Sequence, residues 1–283
     1  MKRIYGILLL AVLAVVAVSC GSPKKTDAKN VVMVSILPQR YFVEQIVGDK
    51  MTVECMLDKG GSPETYEPTF NAMTRLESSD IYFLVGNLGF ETSLKGKIKD
   101  FNQTMKVVDT SEGMDLLKEE IDGAYVADPH TWTSVKNVRV MVKNIADAVC
   151  EMDTLNRQFY TENYQKFDAE LVALNDSISK VLADAKGRSF VVWHPALSYF
   201  SRDYGLEQIA LEYEGKESPI NYMQDKLDYA RSRNCKVFLS QFDMDASKTD
   251  VVSNQLGIEK VVINPLGADW KNELLKISHA IAK

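Results

Sequence analysis

The stretch DTLNRQFYTENYQKFDAELVALNDSISKVLADAK, residues 153–186, decides how the chain is organised. Leu155, Phe159, Phe167, Leu171, Leu174, Ile178, Val181 and Leu182 are spaced by three, four and multiples of four, which marks one face of an α-helix. Asp153 and Thr154 are short polar residues suited to cap its start. No Gly or Pro interrupts the run, and Gly187 stands where a terminating glycine is expected. A helix of about 33 residues would be roughly 50 Å long. That exceeds an ordinary globular helix and predicts a strut joining two lobes. A single long core helix or a short coiled-coil segment would show the same periodicity.

On both sides of this stretch, strand-like and helix-like segments alternate. Residues 31–37, 51–57, 81–85 and 105–108 are short apolar runs, as expected of strands covered on both faces. Between and after them, 38–47, 69–78 and 134–152 have helical spacing, while 111–128 is looser and partly acidic. Beyond the strut, strands are predicted at 190–193, 206–211, 236–239 and 261–263. Helices are predicted at 195–204, 218–232, 247–256 and 270–282, with Ser218 as cap and Pro219 at the first helical position of the second. Strands alternating with helices imply parallel βαβ units. The predicted fold class is therefore α/β. Two lobes, 30–152 and 187–283, each carry a roughly four-stranded, mainly parallel sheet with flanking helices, joined by the helix at 153–186. No strong residue-level repeat relates the lobes.

The N-terminus reads as a processing segment. Lys2 and Arg3 precede an apolar run at 7–18, too short to span a bilayer comfortably. The run ends Ala17-Val18-Ser19-Cys20, which resembles a bacterial lipoprotein box. The resemblance implies a signal peptide at 1–19, lipidation of Cys20, and a polar tether at 20–29. A plain secretory signal with a chance cysteine is the alternative. Removing 1–19 would remove two basic residues and no acid, making the chain more negative than its formal −6. Such a charge argues against nonspecific nucleic-acid binding. Cys55, Cys150 and Cys235 are widely spaced and form no Cys-x-x-Cys pair, so buried free thiols are expected.

Three turns carry candidate chemistry: Gly61-Ser62-Pro63-Glu64-Thr65-Tyr66-Glu67-Pro68, Asp128-Pro129-His130-Thr131-Trp132, and Trp193-His194-Pro195-Ala196-Leu197-Ser198-Tyr199-Phe200. Open α/β sheets gather ligands in such loops at strand ends. Of the three histidines in the chain, His130 and His194 lie in these turns, one on each side of the strut. The third, His279, is on the last predicted helix with nothing to pair it to the others.

Together these motifs resemble the substrate-binding lipoproteins of ABC importers for zinc and manganese. The second and third turns match that family's patterns fully, and Val262-Ile263-Asn264-Pro265-Leu266-Gly267 resembles its final strand and loop. The resemblance covers essentially the whole mature chain and implies that the long helix joins two lobes. It also implies a metal site of Glu64, His130, His194 and Asn264. Two residues depart from the family pattern. Glu64 stands where a histidine is usual, and a carboxylate can bind the same metals. Asn264 stands where an aspartate is frequent; a neutral carbonyl oxygen suits hard ions better than zinc. Residues 111–129 contain no histidine, so the His-rich loop of many zinc-type relatives is missing.

Two imidazoles favour a borderline transition ion, with zinc as first choice and manganese second. The expected partners are a divalent metal ion, an ABC importer permease, and a membrane through the lipid on Cys20, with the protein a monomer at the cell envelope or in the periplasm. Tyr66, Trp193 and Tyr199 are expected to wall the site. Glu212, Glu214 and Glu217 read as an acidic loop cluster, ordinarily a solvated face. Because histidine ligands must be neutral, affinity should fall below about pH 6.5. The alternatives are a zinc-dependent hydrolase, whose sites also use two histidines and a glutamate, and a metal-binding adhesin. No His-Glu-x-x-His motif supports the hydrolase.

Overall fold

The computed structural model describes residues 29–58, 61–121, 123–212 and 219–283. The proposed signal peptide, Cys20 and all but the last residue of its tether, and also Gly60, Glu214, Glu217 and Ser218, lie outside the described residues.

In the first lobe, β1 (Val31–Ile36), β2 (Thr52–Leu57), β3 (Ile81–Leu84) and β4 (Lys106–Asp109) form a parallel sheet in the order β2-β1-β3-β4. Its helices are α1 (Leu37–Val47), α2 (Phe70–Glu77), α3 (Gly89–Lys95), α4 (Ile98–Phe101) and α5 (Val135–Met152). Pro38 lies in the first turn of α1, where its missing N–H has no intrahelical partner to lose. Thr69 and Ser134 cap α2 and α5 by accepting the backbone N–H of Ala72 and Asn137. β3 is buried along its whole length, which explains its unbroken apolar run.

The region 111–128 is more ordered than its composition suggests. β5 (Lys118–Ile121) and β6 (Ala124–Ala127) make an antiparallel ribbon with Ile121 paired to Ala124. Two residues, Asp122-Gly123, link them, a dipeptide that favours tight hairpins. Gly123 has φ +79°, a conformation other residues adopt at a cost.

The second lobe contains β7 (Ser189–Val192), β8 (Glu207–Ala210), β9 (Val237–Gln241) and β10 (Glu259–Ile263), also parallel, in the order β10-β9-β7-β8. Read by rank within each lobe, both sheets have the same order: second, first, third, fourth. The structure thus shows a duplication of topology that residue-level comparison does not. The helices are α7 (Ser198–Tyr204), α8 (Ile220–Ser232), α9 (Ala246–Leu256) and α10 (Trp270–Ala282). Pro219 has ψ 143° and precedes α8 rather than forming its first turn.

The strut is shorter than its periodicity predicts. Asp153 leaves the helical conformation after α5, and its side chain accepts the N–H of Asn156 to cap a 3-10 turn at Thr154–Asn156. The α-helix proper, α6, is Arg157–Val181, about 37 Å long. A second 3-10 turn, Ala183–Ala185, follows before Gly187. Leu155 therefore falls outside the helix and is 95% exposed, although its spacing matches the buried face.

α6 runs along both lobes. Near its start, Asn163 donates to the Ile46 carbonyl at the end of α1. At its middle, Asp168 pairs with Arg139 of α5 and Glu170 with Lys271 of α10. Toward its end, Asn175 accepts from Tyr204 of α7. Its Phe167, Leu171, Leu174 and Ile178 belong to one continuous core with Val34 and Phe83 of the first sheet and Val192 and Leu239 of the second. Val191 and Phe238, one residue away on the same strands, turn to a smaller core under α8 and α9, as strand alternation requires.

This packing sets an expected contrast in stability. Phe167, buried and edge-on to the Tyr41 ring at 5.8 Å, should on substitution by alanine cost about 3–5 kcal/mol in chemical denaturation. Leu155→Ala should stay within roughly 0.5 kcal/mol. Equal losses would place Leu155 on the packed face after all.

Candidate metal centre

Each candidate side chain is delivered from beyond the C-terminal end of a strand. Glu64 follows β2, His194 follows β7, and Asn264 follows β10 directly. His130 comes after the β5–β6 ribbon that extends from β4, in the turn that leads into α5. The two sheets thus point their carboxyl ends at one another, and the loops meet between the lobes.

The structure brings Glu64, His130 and His194 together. Oε1 of Glu64 lies 2.9 Å from Nε2 of His130 and 3.2 Å from Nε2 of His194. The two Nε2 atoms are 3.1 Å apart. One ligand atom from each residue thus lies in a common cluster. Two imidazole lone pairs can face each other at that distance only with a proton or a cation between them. A tetrahedral zinc ion with bonds near 2.0 Å requires donors about 3.3 Å apart, so the three atoms are already close to that spacing. Asn264 lines the same cleft, and its Oδ1 is buried without a hydrogen-bond partner among the described residues. Such an oxygen is ordinarily destabilising by about 1–3 kcal/mol; a cation in the cleft would relieve it.

Both imidazoles are held from behind. Oδ1 of Asp128 accepts from the His130 ring at Nδ1 (2.9 Å) and from the His130 backbone N–H (2.9 Å). Oε2 of Glu212 accepts at His194 Nδ1 (2.7 Å). A proton on each Nδ1 leaves the Nε2 lone pairs free to bind a metal. The Ser62 hydroxyl donates to Oε2 of Glu64, leaving Oε1 for the histidines.

The charges reinforce this. Burial would raise the Glu64 carboxyl, but hydrogen bonds from His130 and His194 hold it well below the usual carboxylate range. Burial alone would lower His130, but Asp128 and Glu64 outweigh it and the net shift is upward. For His194, burial is likewise outweighed by Glu212 and Glu64, which push it up to about 10. Burial would raise Asp128, but its bonds to His130 bring it below its ordinary value.

The wall of the cleft differs from expectation. Trp132, Phe242 and Leu266 line it, whereas Tyr66, Trp193 and Tyr199 do not. Tyr199 stands behind the site and donates to the Asp128 carbonyl, while Tyr66 donates to the Met56 carbonyl. Glu212 is no solvated loop charge, since its side chain is only 17% exposed. Its role escaped sequence reading because its partner is 18 positions away and the pairing depends on sheet register. His279 is exposed on α10. Cys55, Cys150 and Cys235 are free thiols, the first and last buried and Cys150 half-buried.

An α/β protein of two like lobes, with a mixed imidazole and carboxylate cluster between them, has the layout of a two-lobed binding protein. The chain is a member of the family described as zinc-uptake complex component A, periplasmic, whose model matches residues 32–278. Among similar proteins, the zinc-binding lipoprotein AdcA of Streptococcus pneumoniae is 27% identical over 94% of this chain. That match covers 56% of AdcA, so the chain spans about half the length of that relative. The manganese ABC transporter substrate-binding lipoprotein PsaA of the same species is 28% identical, over 80% of this chain and 79% of PsaA. A crystal structure of ZnuA matches with a TM-score of 0.84 and 33% identity, covering 90% of this chain and 98% of that one.

The His194 shift moves the expected pH dependence. A histidine raised from 6.5 to about 10 stabilises the metal-free fold fully below pH 6.5 and loses that contribution as pH rises toward 10. A metal must displace the same proton. Zinc affinity, measured by chelator competition, should therefore keep climbing above pH 6.5 toward 9. A plateau above pH 7 would contradict the shift.

Proposed function

We propose that this protein captures a divalent transition metal ion, zinc by preference and manganese second, between its lobes and delivers it to an ABC-type importer. The observation that carries the reading is the convergence of Glu64, His130 and His194 on one point at near-tetrahedral spacing. In this reading Nε2 of His130, Nε2 of His194 and Oε1 of Glu64 are the ligands. Asn264 supplies the fourth donor through its unpartnered oxygen, or a water completes the shell. Two nitrogens with one or two oxygens favour a borderline ion over magnesium or calcium. The names of AdcA and PsaA, a zinc-binding and a manganese transport lipoprotein, support the same cargo class, the importer partner and a lipid anchor. The anchor is assigned to Cys20, behind a signal peptide at 1–19 and a tether at 20–29. The protein then acts as a monomer outside the cytoplasm. Among the described residues no helix is long and apolar enough to cross a membrane. The lobes are taken as 30–152 and 187–283, with the connecting segment at 153–186.

The carboxylates nearest the candidate ligands are already engaged, which disfavours the hydrolase alternative. Glu64 is engaged by both histidines, and Asp128 and Glu212 each hold an imidazole. Asp243, the remaining carboxylate lining the cleft, is exposed to solvent. A general base needs an unengaged carboxylate within reach of the bound water.

Competition titrations of zinc against manganese test the assignment on wild type, Glu64→Ala and Asn264→Ala. Glu64→Ala should weaken zinc binding by more than the roughly 10–100-fold that losing an outer partner of a ligand costs. Asn264→Ala should have a smaller effect. Wild-type affinity in Glu64→Ala would remove it from the ligand set. Ester or peptide turnover by the metal-loaded protein, abolished in His130→Ala, would favour the hydrolase.

A further inference from the structure

The metal-capture reading names the residues that would touch the ion, and Glu212 is not among them. Resting on that reading, we infer that Glu212 is a positioning residue for the cargo metal, holding His194 in the tautomer and orientation that present Nε2 to the ion. Four observations carry this.

The first is direct geometry. Glu212 Oε2 is 2.7 Å from Nδ1, while Nε2 on the far side of the ring faces Glu64 at 3.2 Å and His130 at 3.1 Å. An ionised carboxylate only accepts, so Nδ1 carries a proton, and Nε2 is the atom that offers its lone pair once a metal displaces the proton there. The second is enclosure. The side chains of His194 and Glu212 are 19% and 17% exposed, so this is no rim ion pair of small consequence.

The third is how the backbone brings them together. The β7–β8 ladder continues past its last paired residues, Val192 and Ala210. Leu211 N–H donates to the Val192 carbonyl at 3.1 Å and Glu212 N–H to the Trp193 carbonyl at 3.0 Å. This lays Glu212 beside His194. Gln241 holds only the main chain of His194, accepting its N–H and donating to its carbonyl. Among the described residues, the ring nitrogens are left to Glu64, His130 and Glu212.

The fourth is topology. Both sheets share one strand order, and Glu212 follows the second strand of its lobe as Glu64 follows the second strand of the other. The two carboxylates, seven and two residues beyond the ends of their strands, take opposite sides of one imidazole. Asp128 does for His130 what Glu212 does for His194, but from two residues away and with a second bond to the His130 main chain. His194 has no such local partner and depends on the neighbouring strand. A carboxylate behind a ligating histidine both fixes the ring and raises its basicity, and its loss typically lowers metal affinity 10–100-fold.

The test measures zinc affinity by chelator competition in wild type, Glu212→Ala, Glu212→Gln and Asp128→Asn, together with the imidazole N–H and 15N resonances of each protein. Glu212→Ala should weaken zinc binding about 10–100-fold and lose the slowly exchanging His194 Nδ1 proton while keeping that of His130. Asp128→Asn should show the reverse pattern. Glu212→Gln should fall at least partway, because its amide can donate to Nδ1 and favour the wrong tautomer. Affinity within twofold of wild type with the His194 proton retained in Glu212→Ala overturns the proposal. Equal loss of both histidine signals also overturns it, since that marks general loosening. If wild type binds no zinc, the capture reading fails by itself. The resonances of the metal-free proteins then decide Glu212: selective loss of the His194 Nδ1 signal supports positioning, and its retention refutes it.

Discussion

Two buried indole N–H groups lock the lobes together at the candidate metal centre. Trp132 Nε1 donates to the Pro265 carbonyl at 3.0 Å, and Trp270 Nε1 donates to the Trp132 carbonyl at 2.7 Å. Trp132 is two residues beyond His130, and Pro265 directly follows Asn264. The clasp therefore joins the very turns that bear candidate ligands from opposite lobes. Trp270 also packs edge-on to Phe42 of α1, with centroids 4.9 Å apart. Separating the lobes would strand buried donors and acceptors, each costing on the order of 1–3 kcal/mol, and would open the core that α6 shares with both sheets. A wide hinge is thus opposed at two places. On the proposed capture reading, exchange of the ion is left to small rotations and to loop displacement.

The position of the centre follows from the duplicated sheets. Each lobe has its strands in the same order, and parallel strands collect ligand-bearing loops at their carboxyl ends. Setting two such sheets end to end faces one loop set against the other. The first lobe contributes Glu64 and His130, the second His194 and Asn264. The β5–β6 ribbon carries the chain from β4 toward the interface, and the turn behind it is fastened across the lobes. Tyr199 donates to the Asp128 carbonyl at 2.8 Å, and its hydroxyl accepts the Leu117 N–H at 3.2 Å.

Most of this was legible where local pattern and tertiary role coincide. β1 and β3 read as apolar runs because both faces are covered, and His130 and His194 stand out because prolines frame their turns, whereas Glu64 is singled out only by the family resemblance. Legibility failed where the controlling interaction is not local. Leu155 keeps the helical period, yet Asp153 uses its side chain to cap a 3-10 turn, so α6 begins later than the period implies. β5 begins Lys118-Glu119-Glu120, a composition with low strand preference. Glu212 resembled any acidic loop residue. What distinguishes it is the alignment of β8 beside β7, which no reading of its own neighbours supplies.

The charge arrangement explains how so many acids can surround one small cleft. Glu64, Asp128 and Glu212 bring three carboxylates to two imidazoles. Without a metal, the carboxylates favour positive charge on the two imidazoles, which is why both histidines are raised and why Glu64 and Asp128 are lowered. On the proposed ligand assignment, loading exchanges that protonic charge for a dication within a hydrogen-bond network already in place. No new unbalanced charge is buried, and the donors need little reorganisation. Asn264 limits the same arrangement from the other side. A carboxylate at that position would put a second anionic oxygen in direct contact with the ion and hold it more firmly. On the proposed assignment, a neutral amide leaves Glu64 as the one charged ligand, with the outer carboxylates at the far side of the imidazoles. Capture then relies on donors fixed in place, and release does not have to overcome a site saturated with negative charge.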